Sequence, residues 1–130
     1  MRKLLEIMAL KIYGIPNCDT MKKAFDWLKA NDVAYDFHDY KTQGIDAAKL
    51  KAWSKALGWE KVLNKGSTTF QGLPADKKAD LTEARAIKLM IAQPSMIKRP
   101  IWEIGDAVYA GYRPNSPERN ALEQAALTAR

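Results

Sequence analysis

The apolar positions near the start of the chain pass from a short continuous run to a helical spacing. Residues 10–13 form a short, largely apolar segment that predicts a buried strand, and Gly14 ends it. The next apolar positions recur at the spacing of one helical face: Met21, Ala24, Phe25 and Leu28. This spacing predicts an amphipathic helix over about 19–30, which Asn31 and Asp32 end.

A second strand is predicted over residues 33–40, which are rich in aromatic side chains. Because a helix separates the two strands, we expect them to be parallel in a right-handed βαβ unit. His38 lies in this second strand. We interpret it as a packed or surface residue, since it is the only histidine and stands among aromatic side chains.

The middle of the chain carries mainly helical signals. Asp46 and Gly58 have the residue types that begin and end a helix, and residues 59–63 predict a further helical turn. Another helix is predicted from Thr82 to Pro94, with its apolar face at these positions: Ala84, Ile87, Met90 and Ile91. Between these helices, residues 64–69 predict a polar loop that lacks the spacing of a phosphate-binding P-loop.

The last part of the chain predicts a β-hairpin and a final helix. Residues 95–100 are interpreted as a loop, 101–104 as a strand and 107–112 as its return strand across a Gly-Asp turn. Ser116 precedes a proline and begins the last helix. Its apolar stripe is thin and consists of Leu122, Ala125, Ala126 and Leu127.

The order of these elements predicts an α/β protein with a thioredoxin-like fold. A βαβ unit and a β-hairpin would form a mixed four-stranded sheet, and an all-helical insertion would lie between them in the sequence. We expect a single domain over residues 1–130, a length that suits one domain. Its core would be 8–41 and 95–130, its insertion 44–94, and residues 1–7 an extension before a start at Met8.

Composition narrows the classes of function. The net charge is +6, but the basic residues are spread along the chain, so nucleic acid is an unfavoured partner and small anions are compatible ones. No apolar run reaches the length of a membrane span, so we expect no membrane partner. One cysteine and one histidine exclude a Cys/His zinc site and an internal disulfide. A free thiol favours the reducing cytoplasm.

The single cysteine, Cys18, lies between the Gly/Pro turn and the first helix. We therefore expect it in the first turn of that helix, where unpaired N–H groups and the helix dipole favour an anion such as a thiolate. A helix terminus contributes only about 0.3–1 kcal/mol, so a strongly reactive thiolate needs further positive charge. Lys22, one turn along, is one source. The alternative is that Cys18 is a small buried hydrophobe.

Four segments together resemble the arsenate reductase (ArsC)/Spx family, and most closely its YffB-type branch. They are Tyr-Gly-Ile-Pro-Asn-Cys-Asp-Thr at 13–20, Phe-His-Asp-Tyr at 37–40, Leu-Gly-Trp at 57–59 and Ile-Lys-Arg-Pro at 97–100. The resemblance covers about residues 8–114. It implies a thioredoxin-like core with a helical insertion.

The resemblance also implies the roles of individual residues. Cys18 matches the nucleophilic cysteine, Arg99 an anion-binding arginine, and Pro100 a proline that is usually cis and faces the cysteine. Backbone groups beside such a proline can pair with an extended peptide such as glutathione. Asn17, Thr20 and Lys22 would then condition the thiolate.

Two positions depart from the family pattern. A further arginine of the arsenate reductases is replaced by Asn64, which carries no charge, and Lys65 beside it is a second candidate for substrate binding. Spx-type regulators place another cysteine three residues after the first, where this chain has Met21. The resemblance therefore favours neither arsenate reduction nor a disulfide switch.

The first hypothesis is a glutathione-dependent monothiol thiol–disulfide reductase that uses Cys18 and Arg99. It needs no bound cofactor and no metal, with glutathione as co-substrate, an oxidised thiol or small oxyanion as substrate, and glutaredoxin as a candidate partner. A second hypothesis is an arsenate reductase of the glutathione/glutaredoxin-coupled type. A third is a non-enzymatic, Spx-like adaptor that binds a partner such as RNA polymerase.

Overall fold

The computed structural model of the chain describes residues 10–130. In chain order its elements are β1 (Leu10–Gly14), α1 (Asp19–Ala30), β2 (Tyr35–Asp39), α2 (Tyr40–Gln43), α3 (Ala47–Leu57), α4 (Trp59–Val62), α5 (Thr68–Gln71), α6 (Ala75–Lys78), α7 (Glu83–Ala92), a 3₁₀ turn (Pro94–Met96), β3 (Ile101–Ile104), β4 (Ala107–Ala110) and α8 (Pro117–Ala129). The predicted extension at 1–7 and the start at Met8 lie outside the described residues.

The elements divide into two compact units. One combines the chain up to Asp39 with Arg99–Arg130 and is called the sheet unit; the other is Tyr40–Lys98 and is called the helical unit. The sequence-based boundaries of the insertion, 44–94, fall a few residues inside those of the helical unit. That the whole chain is one domain stays a prediction.

The sheet unit is built on four strands in the order β2-β1-β3-β4. Strand β1 is parallel to β2, with Leu10 opposite Tyr35, and antiparallel to β3, with Tyr13 opposite Ile101. Strands β3 and β4 form the antiparallel hairpin. The βαβ unit, the mixed four-stranded sheet and the thioredoxin-like fold class predicted from the sequence are confirmed.

The core of the sheet unit lies where apolar residues of the strands meet those of α1 and α8. The strands contribute Leu10, Ile12, Trp102 and Ile104, and α1 contributes Met21, Ala24 and Leu28. From the predicted stripe of α8, only Leu122 and Ala126 are fully buried, whereas Ala125 and Leu127 pack at its margin. The last helix is therefore part of this core, although its buried stripe is narrow.

Helix α1 ends in a backbone motif that shortens the predicted second strand. Asp32 has φ 54°, the N–H of Asp32 donates to the carbonyl of Lys29, and the N–H of Val33 donates to that of Leu28. These two bonds form a Schellman motif, and Leu28 and Val33, which it brings together, both belong to the core of the sheet unit. Val33 therefore completes the helix end, and β2 begins only at Tyr35.

The helical unit confirms the predicted bounds of its longer helices. The carboxylate of Asp46 accepts a hydrogen bond from the N–H of Lys49 at 2.8 Å, and Gly58 ends α3 with φ 89°. The predicted apolar face of α7 is partly wrong. Ile87 and Met90 are buried as predicted, and Ala86 is buried as well. Ala84 and Ile91 are instead exposed, because the buried face of this helix is narrower than its apolar stripe.

Several segments outside the predicted helices contain short helices. Residues 40–43, 68–71 and 94–96 are helical, and in the second of these Ser67 caps the start by accepting from the N–H of Phe70 at 3.2 Å. The helix at 75–78 has no apolar stripe and was not predicted. Strand β4 stops at Ala110 rather than Tyr112, because Gly111 turns the chain with φ 84°.

Candidate functional site

Cys18 occupies the N-cap position of α1. Its backbone is extended, with φ −146° and ψ 130°, and its carbonyl accepts the first helical hydrogen bond, from the N–H of Lys22 at 2.9 Å. The prediction of a place in the first turn was one residue too late. At the N-cap a side-chain oxygen usually accepts from the N–H of the second or third helical residue. Here the cap side chain is a thiol, and it makes no such hydrogen bond.

The residues around the thiol differ in their exposure. Cys18 is half-buried and packs at the margin of the core of the sheet unit, Thr20 is half-buried, and Asn17 and Lys22 are exposed. The first turn also contains the carboxylate of Asp19. The helix terminus and Lys22 favour an anionic sulfur, whereas Asp19 opposes it, so the charge in this turn is nearly balanced. A strongly nucleophilic thiolate therefore still needs a further cation.

Arg99 and Pro100 directly precede β3 in the sheet unit. The peptide bond between them is cis, as the resemblance implied. Pro100 is buried and Arg99 is half-buried. Because Tyr13 pairs with Ile101 in the β1–β3 ladder, the next step of the register brings Pro100 beside the end of β1, where the Cys18 loop begins. The sheet thus directs the cysteine loop and the Arg99–Pro100 segment to the same end of the central strands.

Asn64 and Lys65 belong to the helical unit. The Oδ1 atom of Asn64 accepts from the N–H of Gly66 at 3.1 Å, and its own N–H donates to the carbonyl of Met96 at 2.7 Å. The ammonium of Lys65 lies 5.6 Å from the centroid of the Trp59 ring, a cation–π contact. Asn64 therefore shapes its own loop, and Lys65 is held beside an aromatic ring. Their predicted part in substrate binding stays a prediction.

The sequence did not single out Gly111, which contacts the candidate site, or its neighbour Tyr112. The N–H of Gly111 donates to the carbonyl of Pro100 at 2.7 Å, and Tyr112 follows directly. A glycine at the end of a predicted return strand is a signal for a special backbone conformation. That signal could have shortened β4 to its observed end, and the register set by the predicted Gly-Asp turn could have placed Gly111 opposite Pro100.

Two further features are absent from the part of the chain that the structure describes. Residues 10–130 contain no group of three or more His, Cys, Asp and Glu side chains arranged to hold a metal ion. Within the same range no helix has the length and apolar character needed to cross a membrane.

Comparison with known proteins gives a family and several close likenesses. The ArsC family model matches residues 13–119. The solved structure of a YFFB protein is 51% identical, has a TM-score of 0.84, and matches over 91% of this chain and 99% of that chain. An arsenate reductase (ArsC) related protein from Brucella melitensis is 48% identical, with a TM-score of 0.70 over 82% of this chain and 89% of that chain.

A more distant curated relative is a regulator. The global transcriptional regulator Spx of Lactiplantibacillus plantarum is 26% identical over 110 residues, which cover 83% of each chain. The likenesses at high and low identity together confirm the resemblance stated from the four sequence segments.

Proposed function

The chain belongs to the ArsC family, and from this premise we propose that it is an oxidoreductase: a glutathione-dependent monothiol thiol–disulfide reductase with Cys18 as nucleophile. One observation carries the proposal. The only cysteine of the chain stands at the N-cap of a twelve-residue helix, half-buried, with no side-chain capping bond. A cysteine that only fills space in a core gains no stability from the N-cap, whereas a thiolate is stabilised by the helix N-terminus.

The proposed reaction is a sequence of thiol–disulfide exchanges. The Cys18 thiolate attacks one sulfur of a substrate disulfide; a Cys18–substrate disulfide forms, and the other half leaves as a thiolate that takes up a proton. A glutathione thiolate then attacks the sulfur of Cys18 and releases the second half. A second glutathione thiolate attacks the glutathione sulfur, which regenerates the Cys18 thiolate and yields glutathione disulfide. Two glutathione thiols thus supply the two electrons, and we propose cytoplasm as the compartment that provides them.

Arg99 is proposed to bind a carboxylate of glutathione. Its planar guanidinium can donate two parallel hydrogen bonds to a carboxylate, and its positive charge would add to that of Lys22 in the first turn of α1. The backbone beside Pro100 would pair with the extended tripeptide. The position of the Arg99–Pro100 segment at the end of β1 supports both roles. Asn17, Thr20 and Lys22 would contact the bound thiol or its leaving group.

The test is the mass of the purified protein after incubation with glutathione disulfide. We expect one glutathione adduct that disappears on addition of reduced glutathione, and we expect none for Cys18→Ser. An unmodified wild-type protein under conditions where iodoacetamide labels Cys18 contradicts the proposal, because the thiol would then be accessible but would not accept glutathione.

Arsenate reduction is a second candidate, favoured by the 48% identity to an arsenate reductase related protein. Cys18 and one external thiol would together give the two electrons that convert As(V) to As(III). The neutral Asn64 opposes this candidate, since a small, highly charged oxyanion requires several cations. Release of arsenite by the wild-type protein in the presence of glutathione is the discriminating measurement.

The regulatory relative favours a third candidate, a partner-binding adaptor. This function would not need a reactive thiol. An inert Cys18, together with a stable complex with RNA polymerase, would support it over both enzymatic candidates.

A further inference from the structure

Gly111 uses both of its backbone groups to hold the start of β3. Its N–H donates to the carbonyl of Pro100 at 2.7 Å, and its carbonyl accepts from the indole Nε1 of Trp102 at 2.9 Å. Its φ of 84° lies in the left-handed region, which glycine adopts without penalty. A Cβ added at Gly111 would meet no atom within 4 Å. The residue is therefore required for its conformation and not for its small volume.

Tyr112, the next residue, is fixed to α8. Its hydroxyl donates to Oε2 of Glu123 at 2.6 Å, and the guanidinium of Arg119 lies 4.0 Å from its ring centroid. Arg119 also pairs with Glu123 through Nε at 3.3 Å. Burial, together with the hydrogen bond to Glu123, raises the pKa of Tyr112 far above its usual range, so the hydroxyl stays a donor. Gly111 and Tyr112, here called the anchor segment, thus connect the start of β3 to α8.

We propose that the anchor segment positions Arg99 and Pro100 for substrate binding, so that Gly111 and Tyr112 are positioning residues. This inference rests on the proposed function. Pro100 has no N–H, so its carbonyl is its only backbone hydrogen-bonding group, and Gly111 occupies it. On its other side, Pro100 lies beside the end of β1, from which the Cys18 loop departs. A shift of Gly111 therefore moves Arg99–Pro100 relative to the cysteine loop, while the helix terminus at Cys18 is left unchanged.

The test compares two glycine substitutions in the same hairpin. Gly111→Ala forces a side chain into a left-handed conformation next to Pro100. Gly105→Ala is the matched control: Gly105 has φ 59°, lies in the turn at the other end of β4, and also has no atom within 4 Å of an added Cβ. Both variants carry a similar conformational cost, but only one contacts the candidate site.

The measurement is the rate of Cys18–glutathione adduct formation as a function of glutathione disulfide concentration. We expect Gly111→Ala to raise the half-saturating concentration about five- to tenfold. The limiting rate and the rate of Cys18 alkylation by iodoacetamide should stay within about twofold of wild type. Gly105→Ala should change none of the three quantities by more than about twofold. Equal half-saturating concentrations for the two variants would refute the positioning role.

Failure of the proposed function gives a different result from failure of the positioning role alone. If the wild-type protein itself forms no saturable adduct, the proposed function fails and the positioning role with it. If Gly111→Ala does not fold, Tyr112→Phe decides, because it keeps the ring on Arg119 and removes only the hydrogen bond to Glu123. We expect that variant to raise the half-saturating concentration about threefold with unchanged alkylation, and an unchanged concentration would overturn the proposal.

Discussion

Substitution of Gly14, the last residue of β1, by alanine should destabilise the fold. A Cβ built there would lie 2.4 Å from Sδ and 2.7 Å from Cε of Met21. Met21 is fully buried in the core of the sheet unit. The φ of Gly14 is not in the left-handed region, so the backbone itself would accept alanine. The substitution therefore tests one contact between two residues that flank the Cys18 loop.

The magnitude follows from the geometry. Ordinary contacts between non-bonded heavy atoms are about 3.5–4.0 Å, so the Met21 sulfur would have to move by about 1 Å inside a filled core. Overpacking of this kind costs about 1–3 kcal/mol, while replacing glycine at a compatible backbone position gains about 0.4–1 kcal/mol. The net loss lies between about 0 and 2.6 kcal/mol, and because Met21 is fully buried we expect Gly14→Ala to lower the free energy of unfolding by about 1–2 kcal/mol.

The assay is urea unfolding of Gly14→Ala, Met21→Ala and the double variant. Met21→Ala alone should cost about 2–5 kcal/mol through the cavity it leaves. The double variant should cost about 1 kcal/mol or more less than the sum of the two single changes, because the new methyl group enters that cavity. Gly72→Ala is the control, since its φ is −78° and its nearest contact to an added Cβ is 3.3 Å. Additive costs, or a Gly14→Ala variant as stable as Gly72→Ala, would refute the reasoning.

Three further predictions concern stability and substrate. Ser54→Ala should raise the free energy of unfolding by about 0.5–1.5 kcal/mol, because the buried hydroxyl of Ser54 has no hydrogen-bond partner among the described residues. Ser67→Ala should instead lower it by about 1 kcal/mol, because a helix cap is lost, and urea unfolding measures both changes. Arg99→Ala should weaken Cys18–glutathione adduct formation about ten- to a hundredfold, with partial rescue by Arg99→Lys, in the mass assay; an unchanged adduct would remove Arg99 from the site. Asn64→Arg should raise arsenite release from arsenate and leave the glutathione adduct nearly unchanged, and brisk arsenate reduction by the wild-type protein would reverse the order of the two enzymatic candidates.

The fold was predictable where the signals are local. The strand before Gly14, the apolar spacing in α1 and the Gly-Asp turn each depend on residues close together in the chain. The sheet then follows, since a helix between two strands makes them parallel and a two-residue turn makes them antiparallel. For the same reason, the position of Cys18 at a helix start was correct to one residue.

Tertiary contacts determine the features that local sequence patterns did not predict. Short helices such as Tyr40–Gln43 have too few residues for an apolar period, so only their packing decides them. Val33 looked like part of a strand because it is apolar and β-branched, but its N–H completes the end of α1. The Gly-Asp turn already fixes the register that places Gly111 opposite Pro100, but the contacts of Tyr112 with Glu123 and Arg119 of α8 are tertiary, and no local pattern specifies them.

The packing of Met21 also bears on how the enzyme would turn over. Met21 stands three residues after Cys18, where Spx-type relatives would supply a second thiol, and its side chain is fully buried against the backbone of Gly14. The Met21 side chain is part of the core, and its thiomethyl group fills the space beside Gly14. A cysteine there would leave part of this space empty as well as add a thiol, so the change to a dithiol site carries a packing cost of its own. With one cysteine in the chain, any disulfide formed at Cys18 must be reduced by a thiol from another molecule. Met21, packed against Gly14, thus occupies the position of a second thiol, and this supports an external co-substrate in the proposed reaction.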